Sequence, residues 1–198
     1  MSPVIRHKFK EIYLILLCGL PGTGKTTVAS KLERVLNYTV VDQNQIRRQY
    51  GYKKMPKTFD PVLREIDRSI ALNLNSDRGV IFDSVNRRTA RRQQIYGIAS
   101  CCNVRVVTLE IVCREGLAKE RIAQRPGGDG LLSDPNDPAI YDKLKNDSDP
   151  VDVDFLYPGQ DHVSYIQFDT EDKKITKKVV MNGNCRFIDR LVKIIKAN

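Results

Sequence analysis

The chain has 198 residues and carries 33 lysines and arginines against 24 aspartates and glutamates, a formal net charge of +9. A chain of this length buries about 70% of its unfolded surface, which predicts one domain that needs no disulfides. Its longest apolar run, Ile12–Leu20, is too short to span a bilayer. Five cysteines without a CxxC pair predict reduced thiols in a cytoplasmic protein, and we expect neither membrane association nor a stable protein partner.

Short apolar runs alternate with helical patterns along the chain. Five strands are predicted, at Glu11–Cys18, Tyr38–Asp42, Val80–Asp83, Val104–Val112 and His162–Asp169. Helices are predicted at Lys25–Leu36, about Asn44–Tyr50, Asp60–Asn75, Thr89–Ser100, Arg114–Arg125 and Cys185–Lys196. This alternation predicts an α/β fold, a parallel five-stranded sheet covered by helices on both faces. The Gly-, Pro- and Asp-rich segment 126–158 is too long for an ordinary connection, which predicts a lid or flap within the single domain.

The segment between the first strand and the first helix matches the pattern G-x-x-x-x-G-K-[ST] in full. Glycines let backbone N–H groups turn inward around phosphate oxygens, and the helix N-terminus that follows favours negative charge. A lysine here reaches the β- and γ-phosphates, and the hydroxyl that follows it binds Mg²⁺. We therefore predict a P-loop that binds a nucleotide and Mg²⁺, formed by Gly19, Pro21, Gly22, Thr23, Gly24, Lys25, Thr26 and Thr27.

Several P-loop classes lack their further motifs in this chain. No N-K-x-D or D-x-x-G follows the P-loop, which disfavours a GTPase, and LSGGQ, the motif of ABC proteins, is missing. The chain is also too short for an ordinary AAA+ module with its helical lid domain. An adenylylating enzyme would need K-x-D-G, which is likewise missing. Phosphoryl transfer to a small acceptor or to a nucleic-acid end is the activity that these motifs leave open.

Four elements of residues 12–126 together resemble the small P-loop kinases. The first two are the P-loop and a strand that ends at Asp42. The third is a strand that ends at Asp83, continues as Ser-Val-Asn86 and is followed by the pair Arg91 and Arg92. The fourth is an Arg-x-x-x-Arg at 121–125. Among these kinases the chain is most similar to the polynucleotide-kinase-like group, which includes chloramphenicol-phosphotransferase-like and zeta-toxin-like enzymes. The resemblance implies ATP-dependent transfer of the γ-phosphoryl group to an acceptor hydroxyl.

The resemblance implies that Asp42 is the general base, although an Asp at this place can also cap the next helix. The chain departs from the pattern of the group at the following positions. Polynucleotide kinases have Asp-x-x-Arg where this chain has Asn44-Gln-Ile-Arg47, and small-metabolite kinases have Asp-x-Asp where it has Asp42-x-Asn44. An asparagine can orient a hydroxyl but cannot accept its proton. Asp42 is thus the predicted base, and Asn44 and Arg47 are predicted to contact the acceptor.

The third strand ends at Asp83. The resemblance implies that Asp83 binds Mg²⁺ together with Thr26 or orients the acceptor. The alternative is that Asp83 only forms the turn at the end of the strand. Asn86 and Arg91 are predicted to contact the acceptor, although an asparagine is also common in turns. Four arginines fall within six residues and suit the phosphates of a nucleic-acid strand as well as a solvated helix face. They are Arg87, Arg88, Arg91 and Arg92, and the resemblance favours Arg91 and Arg92 as the functional pair.

Arg121 and Arg125 lie one helical turn apart, just before the predicted flap. The resemblance implies that they clamp the nucleotide as a lid closes, with Arg121 acting in catalysis. The alternative is the ordinary enrichment of cations at a helix C-terminus.

The predicted function is therefore an ATP-dependent kinase whose acceptor could be a polynucleotide 5′-hydroxyl. A small-metabolite or antibiotic phosphotransferase of the same fold is an open alternative. So is an ATP-binding regulatory protein whose catalysis is weakened, which the asparagine at 44 would fit.

Overall fold

One six-stranded sheet forms the centre of the protein. The structure is a computed structural model that describes residues 10–51, 60–125, 137–152, 154, 159–181 and 185–197. The strands are β1 (Tyr13–Cys18), β2 (Thr39–Asp42), β3 (Val80–Asp83), β4 (Arg105–Val112), β5 (Val163–Asp169) and β6 (Lys174–Val179). Their spatial order is β2-β3-β1-β4-β5-β6.

The first five strands are parallel, which confirms the predicted sheet, and the sixth adds to it. β6 pairs antiparallel with β5 and forms the edge of the sheet. Three of its six residues are exposed lysines, a common means of protecting an edge strand from further pairing. The strand buries too little apolar surface for an alternating pattern to reveal it, and this is why it was not predicted.

Seven helices are present in the described segments, and six of them match the predictions to within three residues. They are α1 (Lys25–Leu36), α2 (Gln43–Gln49), α3 (Asp60–Asn75), α4 (Thr89–Cys101), α5 (Glu115–Ala123), α6 (Ala139–Asn146) and α7 (Cys185–Lys196). The seventh, α6, lies inside the segment predicted as a flap. Residues 126–136, 153 and 155–158 of that segment lie outside the described residues, and the lid therefore stays a prediction. No helix of the described part is long and apolar enough to cross a membrane.

The side chains of the sheet alternate between two apolar layers. On one face, residues such as Leu14 and Phe82 pack against α3 and α4. On the other face, residues such as Ile15 and Leu109 pack against α1 and α7. Helices thus pack on both faces of the parallel strands, as expected of a parallel sheet. The carboxyl ends of the parallel strands are left as the place where a ligand can bind.

A buried ion pair fastens α4 to the segment that follows α6. Arg92 is 0% exposed, and its guanidinium donates to both carboxylate oxygens of Asp154, at 2.5 and 2.9 Å. Asp154 also accepts from the hydroxyl of Tyr96 at 2.8 Å, and the Arg92 guanidinium donates to the carbonyl oxygen of Pro150 at 2.6 Å. Arg92, predicted from the sequence as one of two functional arginines, is therefore a structural residue.

Candidate active site

The carboxyl ends of β2, β3 and β1 bring the two predicted aspartates beside the P-loop. Asp42 and Asp83 are partners in the parallel register of β2 and β3, and strands so paired lie about 4.8 Å apart. The backbone N–H of Gly19, the first P-loop residue, donates to the carbonyl oxygen of Val85, just after β3. Residues that are far apart in the sequence thus share one edge of the sheet.

Two P-loop glycines are required by close backbone contacts. A Cβ at Gly19 would lie 2.3 Å from the carbonyl oxygen of Ile111, and a Cβ at Gly22 would lie 2.2 Å from that of Ala118. Both residues also have positive φ angles, of 138° and 79°, which other residues rarely adopt. The loop is therefore packed tightly between β4 and α5, and this fixes the direction of its N–H groups.

The ammonium of Lys25 lies over the start of the loop, where it donates to the carbonyl oxygen of Leu20 at 2.8 Å. Burial lowers the pKa of Lys25 to about 8, an effect that the nearby Asp83 carboxylate opposes and Arg125 reinforces. A bound phosphate would replace the carbonyl as partner and favour the charged form. The geometry therefore suits an anion at this end of the loop.

The two predicted metal residues are in direct contact. The hydroxyl of Thr26 donates to the Asp83 carboxylate at 2.8 Å. Burial raises the pKa of Asp83, although Lys25 and the Thr26 hydroxyl oppose the shift. A hydroxyl and a carboxylate oxygen beside a phosphate cradle are hard oxygen donors of the kind that bind Mg²⁺. The residues present therefore fit the ion.

Asp42 makes the contact that its capping alternative predicts. It is the N-cap of α2, and its carboxylate Oδ1 accepts from the backbone N–H of Asn44 at 2.7 Å. Asn44 is exposed, whereas Arg47 is buried with its guanidinium 3.5 Å from the side-chain oxygen of Asn44. Capping occupies one oxygen of Asp42, and no described residue donates to the other.

Arg121 lies against the far side of the P-loop. Its guanidinium is 3.4 Å from the carbonyl oxygen of Gly22 and 3.3 Å from the hydroxyl of Thr170. Thr170 follows β5 and donates to the carbonyl oxygen of Thr23 at 2.9 Å. A cavity of about 380 Å³ opens here between Thr27, at the start of α1, and Lys173. Thr170 and Lys173 were not predicted, although the rule that ligands bind at strand ends points to the residues after β5.

Asn86 is held inside the protein. Its side chain is 5% exposed and donates to the carbonyl oxygen of Leu17 at 2.7 Å. Its φ is +46°, a turn conformation that asparagine tolerates well. Its carbonyl oxygen accepts from the Arg92 guanidinium at 3.0 Å. Asn86 thus has the turn conformation that the sequence offered as an alternative, and its contact with the acceptor stays a prediction.

The four clustered arginines are each paired with a carboxylate. Arg87 and Arg88 both pair with Asp147, and Arg88 also pairs with Asp149 at 3.2 Å. Arg91 pairs with Asp67 at 2.7 Å, and its guanidinium lies 5.8 Å from the ring centre of Phe82. Arg92 pairs with Asp154, as described above. The acidic segment after α6 therefore neutralises most of the cluster that suggested a nucleic-acid partner.

A second cavity, of about 260 Å³, lies at the start of the P-loop. It is bounded by Gly19 and Leu20 of the loop, by Glu110 of β4, by Arg87 and by the segment 145–151. Glu110 was not predicted as a site residue. The signal that could have found it is a carboxylate between the apolar residues Leu109 and Ile111 near the end of β4, because a charge removed from water needs a partner or a ligand.

Comparison with solved structures gives matches along nearly the whole chain. A protein from Chloroflexus aurantiacus whose kinase assignment is provisional superposes with a TM-score of 0.64 at 16% identity, covering 91% of this chain and 98% of its own. Chaetomium thermophilum Kti12 in complex with ADP-AlF3 gives a TM-score of 0.60 at 18% identity, covering 93% and 100%. At these identities the matches show the fold alone, that of a kinase-like P-loop NTPase.

Among curated proteins, the chain is similar to human 6-phosphofructo-2-kinase/fructose-2,6-bisphosphatase 1. The two are 26% identical over 208 aligned residues, which cover 91% of this chain and 43% of the human protein. The chain thus spans less than half the length of the curated relatives that it matches.

A family model described as AAA domain (AAA_33) matches residues 14–140, more than half of the chain. The match runs from β1 through the P-loop and α5 into α6. By this match the chain belongs to the AAA_33 family of P-loop kinases.

Proposed function

We propose that this protein is an ATP-dependent kinase that transfers the γ-phosphoryl group to a hydroxyl of a small molecule. The observation that carries the proposal is the contact between Thr26 and Asp83 beside the Lys25 ammonium, with one cavity at each end of the P-loop. A donor site and an acceptor site on either side of a phosphate cradle is the arrangement that phosphoryl transfer needs.

The donor ATP binds with its phosphates on the P-loop N–H groups and its nucleoside in the cavity beside Arg121. Lys25 reaches the β- and γ-phosphates, and Arg121 and Arg125 close over the bound nucleotide. Thr26 and Asp83 would hold Mg²⁺, which would supply positive charge to offset the charge of the bound phosphates.

The reaction forms one bond to the γ-phosphorus and breaks another. The acceptor hydroxyl oxygen attacks the γ-phosphorus, the bond to the β,γ-bridging oxygen breaks, and ADP leaves. The hydroxyl proton passes to a carboxylate and then to solvent, and the product is a phosphate ester. Asp42 is the proposed base, because its second oxygen has no donor among the described residues, whereas its neighbour Asp83 is assigned to the metal together with Thr26.

The state of the four arginines favours a small acceptor over a polynucleotide end. A nucleic-acid strand is bound largely through cations that neutralise its phosphates. Here Arg87, Arg88, Arg91 and Arg92 are each paired with a carboxylate of this chain, so binding a strand would first require these pairs to break.

The test is phosphoryl transfer from radiolabelled ATP to a set of small hydroxy compounds and to a 5′-hydroxyl oligonucleotide. We expect Mg²⁺-dependent labelling that is lost in Lys25→Ala and kept in Lys193→Ala, a change of an exposed lysine on α7. An oligonucleotide acceptor would be recognised by an affinity that falls steeply with salt. ATP binding that is lost in Lys25→Ala, without transfer to any acceptor, would instead identify an ATP-binding regulatory protein.

A further inference from the structure

Glu110 occupies an unusual place for a carboxylate, inside the central sheet. β4 lies between β1 and β5, and Glu110 is the register partner of Cys18 on one side and of Gln167 on the other. Both neighbouring strands are parallel to it and mostly buried. Keeping a charge at such a place costs desolvation free energy unless hydrogen-bond or ionic partners compensate for the lost water.

The donors that hold Glu110 are both neutral. Its Oε2 accepts from the hydroxyl of Tyr165 at 2.5 Å and from the side-chain amide of Gln167 at 2.7 Å. The Gln167 amide is oriented in turn by Thr176, whose hydroxyl donates to its oxygen at 2.7 Å. No described residue donates to the other oxygen, Oε1, and no described cation forms an ion pair with Glu110. Its carboxylate is therefore fixed in position, and one oxygen remains for a ligand.

The cations around the cavity are already neutralised within the protein. Arg87 pairs with Asp147, and Lys145 pairs with Glu115 at 2.8 Å. The contact with Asp152, at 2.5 Å, raises the pKa of Lys177, and the charge of Glu110 adds a smaller effect in the same direction. The uncompensated charge of the cavity is thus the negative charge of Glu110, which attracts hydrogen-bond donors and repels phosphate.

The cavity also lies at the correct end of the P-loop for an acceptor. Leu20 lines it, and the Leu20 carbonyl oxygen is the group that accepts from the Lys25 ammonium. Since that ammonium reaches the β- and γ-phosphates in a P-loop, the γ-phosphate lies at this end. A volume of about 260 Å³ is slightly below the usual range for small-molecule pockets, which suits a compact ligand.

We propose that this cavity binds the acceptor and that Glu110 selects small, phosphate-free compounds that carry several hydroxyl or amino groups. One such group donates to Oε1 of Glu110, and the reacting hydroxyl extends past Leu20 to the γ-phosphate. The inference rests on the proposed kinase function and adds the acceptor class and the residue that determines it.

The first experiment compares two acceptor libraries in the full-length protein, with ADP formation as the readout. One library holds phosphate-free compounds such as glucose, ribitol and glucosamine. The other holds fructose 6-phosphate, further phosphorylated hydroxy compounds and a 5′-hydroxyl oligoribonucleotide. We expect the best acceptor, by kcat/KM, to come from the phosphate-free library. A best acceptor from the second library overturns the assignment.

The second experiment uses Glu110→Gln with the best acceptor. The amide oxygen still accepts from Tyr165 and Gln167, so the fold and the KM for ATP should not change. Loss of the charged acceptor should lower kcat/KM for the acceptor by about 10- to 100-fold, mainly through KM. Glu33→Gln, which changes an exposed carboxylate on α1, is the matched control and should have no effect.

Three results separate the inference from the function on which it rests. An unchanged acceptor KM in Glu110→Gln overturns the role of Glu110 and leaves the kinase function standing. A lower melting temperature or a raised KM for ATP in this variant shows a structural role and also overturns the assignment. ATP binding that depends on Lys25, with no transfer to either library, refutes the proposed function, and the acceptor assignment fails with it.

Discussion

The buried pair of Arg92 and Asp154 gives the sharpest stability prediction. Both side chains are almost inaccessible, at 0% and 3% exposure, and the guanidinium makes five hydrogen bonds to four residues. In Asp154→Ala the guanidinium stays buried without its counter-charge. Breaking one side of a buried ion pair costs about 3–5 kcal/mol, which is a large share of the roughly 5–15 kcal/mol that stabilises a domain.

For a domain of this size, about 1 kcal/mol shifts the melting temperature by about 2–4 °C. Asp154→Ala should therefore lower it by roughly 6–20 °C. The chain has no tryptophan, so unfolding in urea and by heat is best followed by circular dichroism. Arg88→Gln is the control, because the exposed pair of Arg88 with Asp149 contributes about 1 kcal/mol or less.

A double variant tests the cause of the loss. Arg92→Met with Asp154→Leu removes both charges and fills the space with apolar groups, a change that is often neutral for a buried pair. We expect it to be more stable than Asp154→Ala. A structural role for the pair is refuted if Asp154→Ala lowers the free energy of unfolding no more than Arg88→Gln does. It is also refuted if the double variant loses as much free energy of unfolding as Arg92→Met and Asp154→Leu lose separately, added together.

Three further predictions concern the P-loop. Because burial lowers the pKa of Lys25 to about 8, the neutral amine accumulates above that pH, and ATP affinity measured by calorimetry should fall roughly tenfold per pH unit above pH 8. Lys25→Arg, whose guanidinium stays charged, should flatten this pH dependence. An equally steep fall in Lys25→Arg would contradict the prediction. Asp83→Asn should raise the Mg²⁺ concentration that half-saturates Mg²⁺-dependent ATP binding by at least about tenfold. An unchanged half-saturating concentration would place the metal elsewhere. Gly22→Ala places a Cβ 2.2 Å from the carbonyl oxygen of Ala118 at a positive φ, so ATP binding should be lost; Gly97→Ala, which has open space around it, should bind ATP as the native chain does.

Local patterns were sufficient to predict most of the fold. The P-loop requires its glycines and lysine at fixed spacing, and apolar periodicity is a property of neighbouring residues. For these reasons the strands from β1 to β5 and the helices next to them were predicted nearly to the residue. β6 and α6 were not predicted, because β6 buries little apolar surface, whereas α6, although amphipathic, has only eight residues and lies in a segment rich in Gly, Pro and Asp.

The charge pattern could not be interpreted from the sequence. A net charge of +9 and four arginines within six residues left a nucleic-acid partner open, because sequence does not show which charges meet. The tertiary structure brings Arg92 to Asp154, 62 residues away, and Arg87 to Asp147, 60 residues away. Pairs so distant form only when the chain folds back over α4.

The candidate site also has one part that the sequence predicted and another that only the tertiary structure revealed. The sequence by itself determined the phosphate cradle, since Lys25 and Thr26 belong to one contiguous motif, and it indicated Asp83 as the partner of Thr26. Only the tertiary structure showed that Asp42 caps a helix, that Asn86 is buried in a turn, and that Glu110 lines a cavity beside the loop. The physical reason is that phosphate binding uses the backbone of a single turn, whereas an acceptor site is assembled from side chains of several strands and helices.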